Sequence, residues 1–410
     1  MNYKRKLLPK IEQSLSRSPI TLLTGARQTG KTTIVKEIAK KKNYNYITFD
    51  NVNFLANAKD NPVGFIEGLD KPVILDEVQR VPEIFLTIKK DVDENRNPGR
   101  YLLTGSANPL MIPNLAEAFV GRMEILYLYP FSYGEIYNKK ETFIEQLFSS
   151  KKLSQNNETF NKGQFCKQIC IGGFPSMILA KTEEARESWC NGYLSTILSR
   201  EVKELANIEG LKNMPSLLEM LATRVGTTLN TSELSRTIGM ANTTLNRYLR
   251  LLETLFIVQL QQPWFSNLGK RLVKSPKTYL VDTGVHAHLL GINDKKIETN
   301  STLFGAFLEN FVVSELKKQS TWNSARIKFY HFRTQTGIEV DIVLENASGD
   351  VIGIEIKSRE TIKSDDFKGL RELKEIVGDS FHRGIVIYTG QEQIPFESNM
   401  HALPISSLWS

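Results

Sequence analysis

The eight residues Gly25-Ala26-Arg27-Gln28-Thr29-Gly30-Lys31-Thr32 fit the spacing G-x-x-x-x-G-K-[ST] without a mismatch. Glycines let such a loop turn its backbone N–H groups inward, and the start of a following helix favours an anion. A β-rich run, Ile20–Thr24, precedes the loop, and Ile34, Val35 and Ile38 follow at helical spacing. Lys31 is therefore expected on the β- and γ-phosphates of a nucleoside triphosphate, Thr32 on its magnesium, and Thr33 beside them. Downstream, Pro72-Val-Ile-Leu-Asp76-Glu77 is an apolar strand that ends in two carboxylates. Ligands of doubly wound sheets sit beyond the C-terminal ends of the strands. Asp76 is thus expected to hold the magnesium and Glu77 to polarise an attacking water. No guanine-reading N-K-x-D follows, so the nucleotide is read as ATP with Mg2+.

Two further positions bear on hydrolysis. The run Tyr101-Leu-Leu-Thr104-Gly-Ser106-Ala-Asn108 ends in polar residues, and Ser106 is the one expected to sense the γ-phosphate and place the water. Arg122 is either a source of transition-state charge, in cis or from a neighbouring subunit, or one half of a surface salt bridge.

Near the middle of the chain, Thr231-Ser232 opens a helical segment that stops at Gly239. Met240 to Leu252 then resumes helical periodicity after a short turn, which is helix-turn-helix spacing. A β-rich run from Phe256 leads to basic residues Lys270, Arg271, Lys274 and Lys277, and the whole looks like a winged helix. In a DNA-binding version Asn242, Thr243, Thr244, Asn246 and Arg247 face the major groove and the wing cations meet phosphates. In the other version the module packs or oligomerises.

The last hundred or so residues carry a second acidic set. Leu303–Lys318 reads as a helix containing Glu309, followed by strands at Ile327–Phe332, Ile338–Glu345 and Val351–Lys357. A helix capped by Ser364 and a strand at Gly384–Tyr388 complete the order α-β-β-β-α-β. That order and its acids resemble the core of the PD-(D/E)xK nuclease superfamily. The resemblance implies that Asp341 and Glu355 bind Mg2+, that Lys357 steadies the hydroxide or developing charge, and that Glu309 completes the cluster. Glu339 shares a strand face with Asp341, as Glu355 does with Lys357. The alternatives are a hairpin with a charged face, or a nuclease-like fold kept as a binding or structural module.

The elements that must position these groups follow from the apolar pattern. Short strands at Ile20–Thr24, Tyr46–Asp50, Val73–Asp76, Arg100–Thr104 and Met123–Leu128 alternate with helical stretches, as in a parallel α/β sheet. One strand follows the Asp76 strand, as in P-loop ATPases that insert a strand between the two motif strands. The domains expected are a P-loop unit at 1–137, a linker and helical region at 138–220, a winged helix at 221–292 and a nuclease-like α/β domain at 293–410. The polar stretch Asn138–Gly163 is read as a linker or a mobile insertion, and Asn293–Thr302 as the separation between the middle and the C-terminal part.

A length of 410 residues with 41% hydrophobic and 24% charged residues excludes collagen, coiled coil and wholesale disorder. The net charge of +7 permits a nucleic-acid partner and equally serves solubility. Three cysteines, Cys166, Cys170 and Cys190, make neither a disulfide framework nor a zinc spacing. No run approaches the roughly twenty apolar residues of a membrane span, and MNYKRKLLPK leads into no apolar stretch, so a cytoplasmic setting is expected.

Taken together, the chain resembles prokaryotic ATPases of the AAA+/STAND side of the P-loop class, whose C-terminal half is a domain of unknown function. The carriers are the loop from Gly25 to Thr33, Leu75-Asp-Glu-Val-Gln79, Leu103-Thr-Gly-Ser106, Tyr129-Pro-Phe-Ser-Tyr-Gly-Glu135 and Lys277-Thr-Tyr-Leu-Val-Asp-Thr-Gly284. Arg200-Glu201 departs from the Arg-Asp that the resemblance implies. Two functions follow as expectations: an ATP-dependent enzyme acting on DNA, or a regulatory ATPase switch whose C-terminal half binds DNA or a protein without cutting. A homo-oligomer is compatible with both. A small-molecule kinase leaves the C-terminal half without a role.

Overall fold

The computed structural model describes residues 3–107, 119, 121–151, 153, 158–202, 213–265 and 275–409, apart from the side chains of Arg200 and Glu201. Asn108, the Arg200-Glu201 pair, Lys270, Arg271 and Lys274 lie outside the described residues or side chains. The chain forms two compact units, residues 1–130 with 250–257, and residues 131–249 with 258–410.

The first unit is built on strands β1 (Ile20–Thr24), β2 (Asn45–Thr48), β3 (Val73–Asp76), β4 (Tyr101–Gly105) and β5 (Met123–Tyr127), with helix α1 (Lys31–Lys42) after β1. They form one sheet in the order β2-β3-β4-β1-β5, and every pairing is parallel. Strands β1, β3 and β4 are buried throughout, as expected when helices cover both faces of a parallel sheet. Helix α2 (Ile84–Glu94) turns Ile84, Phe85, Ile88 and Val92 into the core, a spacing that keeps them on one face. Strand β4 lies between the two motif strands β1 and β3, which is the inserted strand anticipated above.

The second unit begins with a segment expected to be a linker. Its described part instead holds a short helix, Phe143–Phe148, with Phe143, Ile144 and Leu147 buried. The polar stretch at Asn293 also folds: the Asn293 side chain caps Asp294–Thr299 by accepting from the Lys296 N–H. Asparagine-rich composition marked helix caps here rather than flexible chain. Helices α3 (Thr231–Ile238) and α4 (Asn242–Thr254) follow one another with Gly239, Met240 and Ala241 between them. Asn230 caps α3 through the Glu233 N–H, and Gly239 ends it with φ +69°. Strands β6 (Val258–Gln261) and β7 (Lys277–Leu280) pair antiparallel as a ribbon.

Helix α5 (Thr283–Leu290) follows the ribbon, and α6 (Ser301–Trp322) runs 22 residues. Then come β8 (Lys328–Arg333), β9 (Glu339–Glu345), β10 (Val351–Lys357), α7 (Lys368–Val377), β11 (Phe381–Tyr388), β12 (Ile394–Glu397) and β13 (Met400–Pro404). The six strands form one sheet, β12-β13-β11-β10-β9-β8. Strands β8, β9 and β10 are an antiparallel meander, and α7 carries the chain across to β11, parallel to β10. Ser364 is not the cap of that helix. It opens a 3-10 turn, Ser364–Phe367, in which Asp366 accepts the Lys363 N–H, and α7 starts after it. Among the described residues no helix is long and apolar enough to cross a membrane.

Candidate functional site

Strand β1 delivers the chain into the loop, where Gly25 (φ +151°), Gln28 (φ +62°) and Gly30 (φ +98°) bend it before α1 starts at Lys31. A Cβ on Gly25 would fall on the Leu128 carbonyl oxygen, so close approach of backbone to backbone excludes any side chain there. Ala26 and Thr29 are buried, and the Thr29 hydroxyl donates to the Ala26 carbonyl at 2.9 Å. Arg27 is half-buried, while Gln28 and Thr33 are exposed. Lys31 Nζ folds back on the loop and donates to the carbonyls of Gly25 (2.8 Å) and Ala26 (2.9 Å).

Asp76, at the end of β3, is buried and wrapped by hydroxyls. Thr32 Oγ1 and Tyr46 Oη donate to its Oδ2 at 3.0 and 2.7 Å, and Thr104 Oγ1 donates to Oδ1. Burial and then Asp76 raise the Tyr46 phenol pKa, so Tyr46 stays a donor. Thr32 and Asp76 supply hard oxygen donors, a hydroxyl and a carboxyl group, and that donor set suits magnesium. The next residue, Glu77, sits in the left-handed region (φ +64°, ψ +43°), a conformation that costs a non-glycine residue about 1–3 kcal/mol. Its N–H donates to Thr104 Oγ1 at 3.1 Å. Its Oε2 accepts from Gln79 Nε2 at 2.5 Å and from Ser106 Oγ at 3.3 Å, and Gln79 Nε2 also donates to Ser106 Oγ at 2.9 Å. The structure thus brings Lys31, Thr32, Asp76, Glu77 and Ser106 together. It adds Tyr46, Thr104 and Gln79, of which Gln79 lies in the Leu75–Gln79 motif and was legible as a polar residue two places beyond Glu77.

Arg122 is not among them. Ile20 pairs with Met123 in the register of β1 and β5, which puts Arg122 at the amino-terminal end of the sheet. The loop leaves from the other end, past Thr24, about 13 Å away at roughly 3.3 Å per residue. Arg122 instead clasps Asp93, Nε to Oδ1 at 2.5 Å and Nη2 to Oδ2 at 3.1 Å. A role in cis at the phosphates is thereby removed.

In the second unit Glu309 on α6, Glu339 and Asp341 on β9, and Glu355 and Lys357 on β10 gather as expected, but around a lysine that the basic ribbon was expected to show to solvent. Lys277, first residue of β7, has a side chain only 2% exposed. Its Nζ meets Glu339 Oε1 at 2.5 Å, Asp341 Oδ1 at 2.9 Å and Glu309 Oε1 at 3.1 Å. Tyr279, two residues along the same strand face, donates to Glu309 Oε1 at 2.6 Å. Asp341 Oδ2 accepts the Ile356 N–H at 2.9 Å, and Glu355 Oε1 pairs with Lys357 Nζ at 2.6 Å. Burial alone would depress the Lys277 ammonium, but Asp341, with Tyr279, Glu309 and Glu339, raises its pKa well above the ordinary value. Burial, then Asp341, pushes Glu309 up to about 7 and Glu355 up to about 8, against the pull of the lysines. Four carboxylates face two lysines, so a carboxyl that keeps its proton near neutrality relieves the excess charge.

On the helix pair, Asn242, Thr243, Asn246 and Arg247 are exposed and Thr244 is half-buried, while Leu245 and Tyr248 face the core. Past the ribbon, Asp282 organises a buried corner. Its Oδ1 caps α5 through the N–H groups of Gly284 (2.9 Å) and Val285 (3.1 Å), and its Oδ2 accepts the Gly173 N–H at 2.7 Å.

Residues 17–137 match the family model described as an AAA domain. Residues 162–296 and 304–408 match two domains of unknown function, DUF8612 and DUF4143. An uncharacterized protein of Mycobacterium tuberculosis, Rv2008c, is 30% identical over 407 residues, 99% of this chain and 84% of its own. Mb2031c of Mycobacterium bovis matches to the same extent. An uncharacterized Haemophilus influenzae protein is 27% identical over 224 residues, 53% of this chain and 51% of its own. Among solved structures, a Walker-type ATPase of Pyrococcus abyssi overlaps with a TM-score of 0.43 at 14% identity, covering 70% of this chain and 96% of that one. The Thermotoga maritima RuvB Holliday junction branch migration motor overlaps with a TM-score of 0.30 at 16% identity, covering 64% and 90%. Both overlaps are too shallow to define a common arrangement. Sequence identity over nearly the whole length does define one: the chain belongs, with the mycobacterial proteins, to a family of AAA-type P-loop ATPases that carry a C-terminal DUF4143 domain.

Proposed function

We propose that the protein hydrolyses ATP with magnesium and uses the nucleotide state to control what its C-terminal half binds. The observation that carries this reading is the linked pair of acids. The Thr104 hydroxyl donates to Asp76 and accepts from the Glu77 N–H, while Gln79 and Ser106 hold the Glu77 carboxylate one residue from the Thr32–Asp76 pair. The inward N–H groups of the loop from Gly25 to Thr33 bind phosphate oxygens. Lys31 exchanges the Gly25 and Ala26 carbonyls for the β- and γ-phosphates. Thr32 and Asp76 would hold magnesium, which supplies positive charge for the leaving phosphates when bound. Glu77 takes a proton from the attacking water, and Ser106 reports the γ-phosphate to it through Gln79.

The test is ATP turnover by the purified protein. Glu77→Gln is expected to bind ATP and hold it, with turnover down at least a hundredfold, in the range usual for loss of a general base. Unchanged turnover would remove Glu77 from the mechanism.

A second reading, that duplex DNA is the partner, is favoured by the exposed polar residues Asn242, Thr243, Asn246 and Arg247 at the start of α4. Lys277 lends it no support, because that cation is buried among carboxylates. Binding that weakens steeply with salt and falls on Arg247→Ala supports DNA. Salt-insensitive or absent binding leaves a protein as the partner.

A further inference from the structure

The topology of β8 to β11 and the acids Glu309, Asp341 and Glu355 imply a magnesium site by resemblance to metal-dependent nucleases. The residues present do not fit one. Magnesium takes oxygens at about 2.0–2.1 Å in an octahedral set, whereas Glu339, Asp341 and Glu309 converge on the Lys277 ammonium at hydrogen-bond distances of 2.5, 2.9 and 3.1 Å. An ammonium has three N–H donors and no acceptor, and Glu309, Glu339 and Asp341 take all three. Asp341 has both oxygens engaged, one by Lys277 and one by the Ile356 N–H. Glu309 Oε1 is shared between Lys277 and Tyr279, and Glu355 Oε1 is held by Lys357. Among the described residues no group of three or more His, Cys, Asp or Glu has the geometry to hold a metal ion.

Lys277 is fixed in β7 by pairing to Gln261, and its stem is buried. Behind Glu309 lies the backbone of Gly226 (φ +78°), where an added Cβ would stand 2.9 Å from Glu309 Oε2, so the carboxylate is also packed from the far side.

The geometry points to Lys277 as a built-in cation standing in the place of a divalent ion, which makes the DUF4143 half a metal-independent domain that does not cut phosphodiesters. Its ammonium fastens the β6–β7 ribbon to α6 and β9. A positive charge thereby stands among the carboxylates, and Glu309 Oε1, both Asp341 oxygens and Glu355 Oε1 are engaged by protein hydrogen bonds, while Glu355 Oε2 has no hydrogen-bond partner among the described residues. This inference is independent of the ATPase reading, since none of its groups belongs to the P-loop.

Manganese is the probe, counted per chain by its EPR signal in the full-length protein without nucleotide. Wild type and Asp341→Asn are expected to bind the same number of ions, because any ion at Asp76 is common to both. One ion more in wild type than in Asp341→Asn overturns the inference, as does manganese-dependent DNA cleavage that Asp341→Asn abolishes. Lys277→Met frees the carboxylates and is expected to gain one manganese over wild type. A folded Lys277→Met that gains none overturns the stand-in role, and the wild-type comparison decides the matter even where that variant does not fold.

Discussion

Exchanging Lys277 for methionine keeps the length and packing of the buried stem and deletes only the charge and its three hydrogen bonds. Removing one partner of a buried ionic group costs about 3–5 kcal/mol, because the other charges stay buried without compensation. Here three carboxylates lose their cation at once and Lys357 is left facing four acids. The upper part of that range applies at pH 8, where all of them would ionise in water. Carboxyls answer by keeping protons: Glu355 and Glu309 are already pushed up to about 8 and about 7, chiefly by burial, with Lys277 present, and losing that cation raises Glu309 further. Each proton that the folded variant holds and the unfolded chain releases restores about 1.4 kcal/mol per pH unit on acidification. The deficit against wild type is therefore expected near 4 kcal/mol at pH 8 and below about 2 kcal/mol at pH 6. Urea unfolding followed by tryptophan fluorescence reads it, since Trp189, Trp264, Trp322 and Trp409 are the four tryptophans and all lie in the second unit. A deficit under about 1 kcal/mol at pH 8, or one that does not shrink at pH 6, refutes the charge argument.

Four further outcomes are expected. Wild type should itself lose stability from pH 6.5 to 8.5. The stabilisation from Glu309 and Glu355, whose folded pKa values of about 7 and about 8 lie above the unfolded value, is complete below about pH 4.5 and lost as pH rises through those values. His286 and His331, pushed down to about 4 mainly by burial, give the opposite slope only below about pH 6.5, so a plateau precedes the decline. Glu355→Gln should flatten the alkaline part of the urea-midpoint profile. Asp282→Ala removes a helix cap and the acceptor of the Gly173 N–H, and should cost about 3 kcal/mol by the same fluorescence assay. Gln79→Ala frees the Glu77 carboxylate, so kcat for ATP should fall about tenfold or more with KM little changed. A raised KM with normal kcat would show that Gln79 serves binding instead. Arg122→Ala should leave ATP turnover of the dilute monomer unchanged, and a loss there would contradict the placement of Arg122 at the far end of the sheet.

The parts that were legible from sequence are those where one local signal dominated. Strands β1 and β3 begin and end where expected, because apolar runs bounded by glycine, proline or acidic residues leave little choice of boundary, and β10 also keeps its expected bounds. The loop leaves the end of β1, and Asp76 and Glu77 stand at the end of β3, because glycine spacing and a strand-end carboxylate are local patterns. Strands β12 and β13 were not anticipated. The first contains Pro395 and half-exposed or exposed residues only, and the second ends in Pro404, so neither shows clean alternation. Helix α6 continues past Lys318 to Trp322, where the Ser320 and Thr321 hydroxyls bond back to the carbonyls of Lys317 and Lys318. Such back-bonding lets polar residues finish a helix that composition would end earlier. Lys277 was misplaced because four nearby cations looked like one exposed face. The signal that separates it is its own strand: Thr278, Tyr279 and Leu280 follow it and all are buried.

The position of Arg122 dictates something about assembly. Arg122 and the P-loop sit at opposite ends of the same parallel strands, so a neighbour's phosphates can reach Arg122 only if the tail of one sheet meets the head of the next. A two-fold dimer can make that contact as a reciprocal pair that closes on itself. A head-to-tail contact can make it too, and it repeats: each new subunit presents a fresh acceptor end, so the series closes as a ring or grows as a fibre. An arginine that acts in trans would thus place every working nucleotide site at a contact between subunits, so activity would rise with assembly.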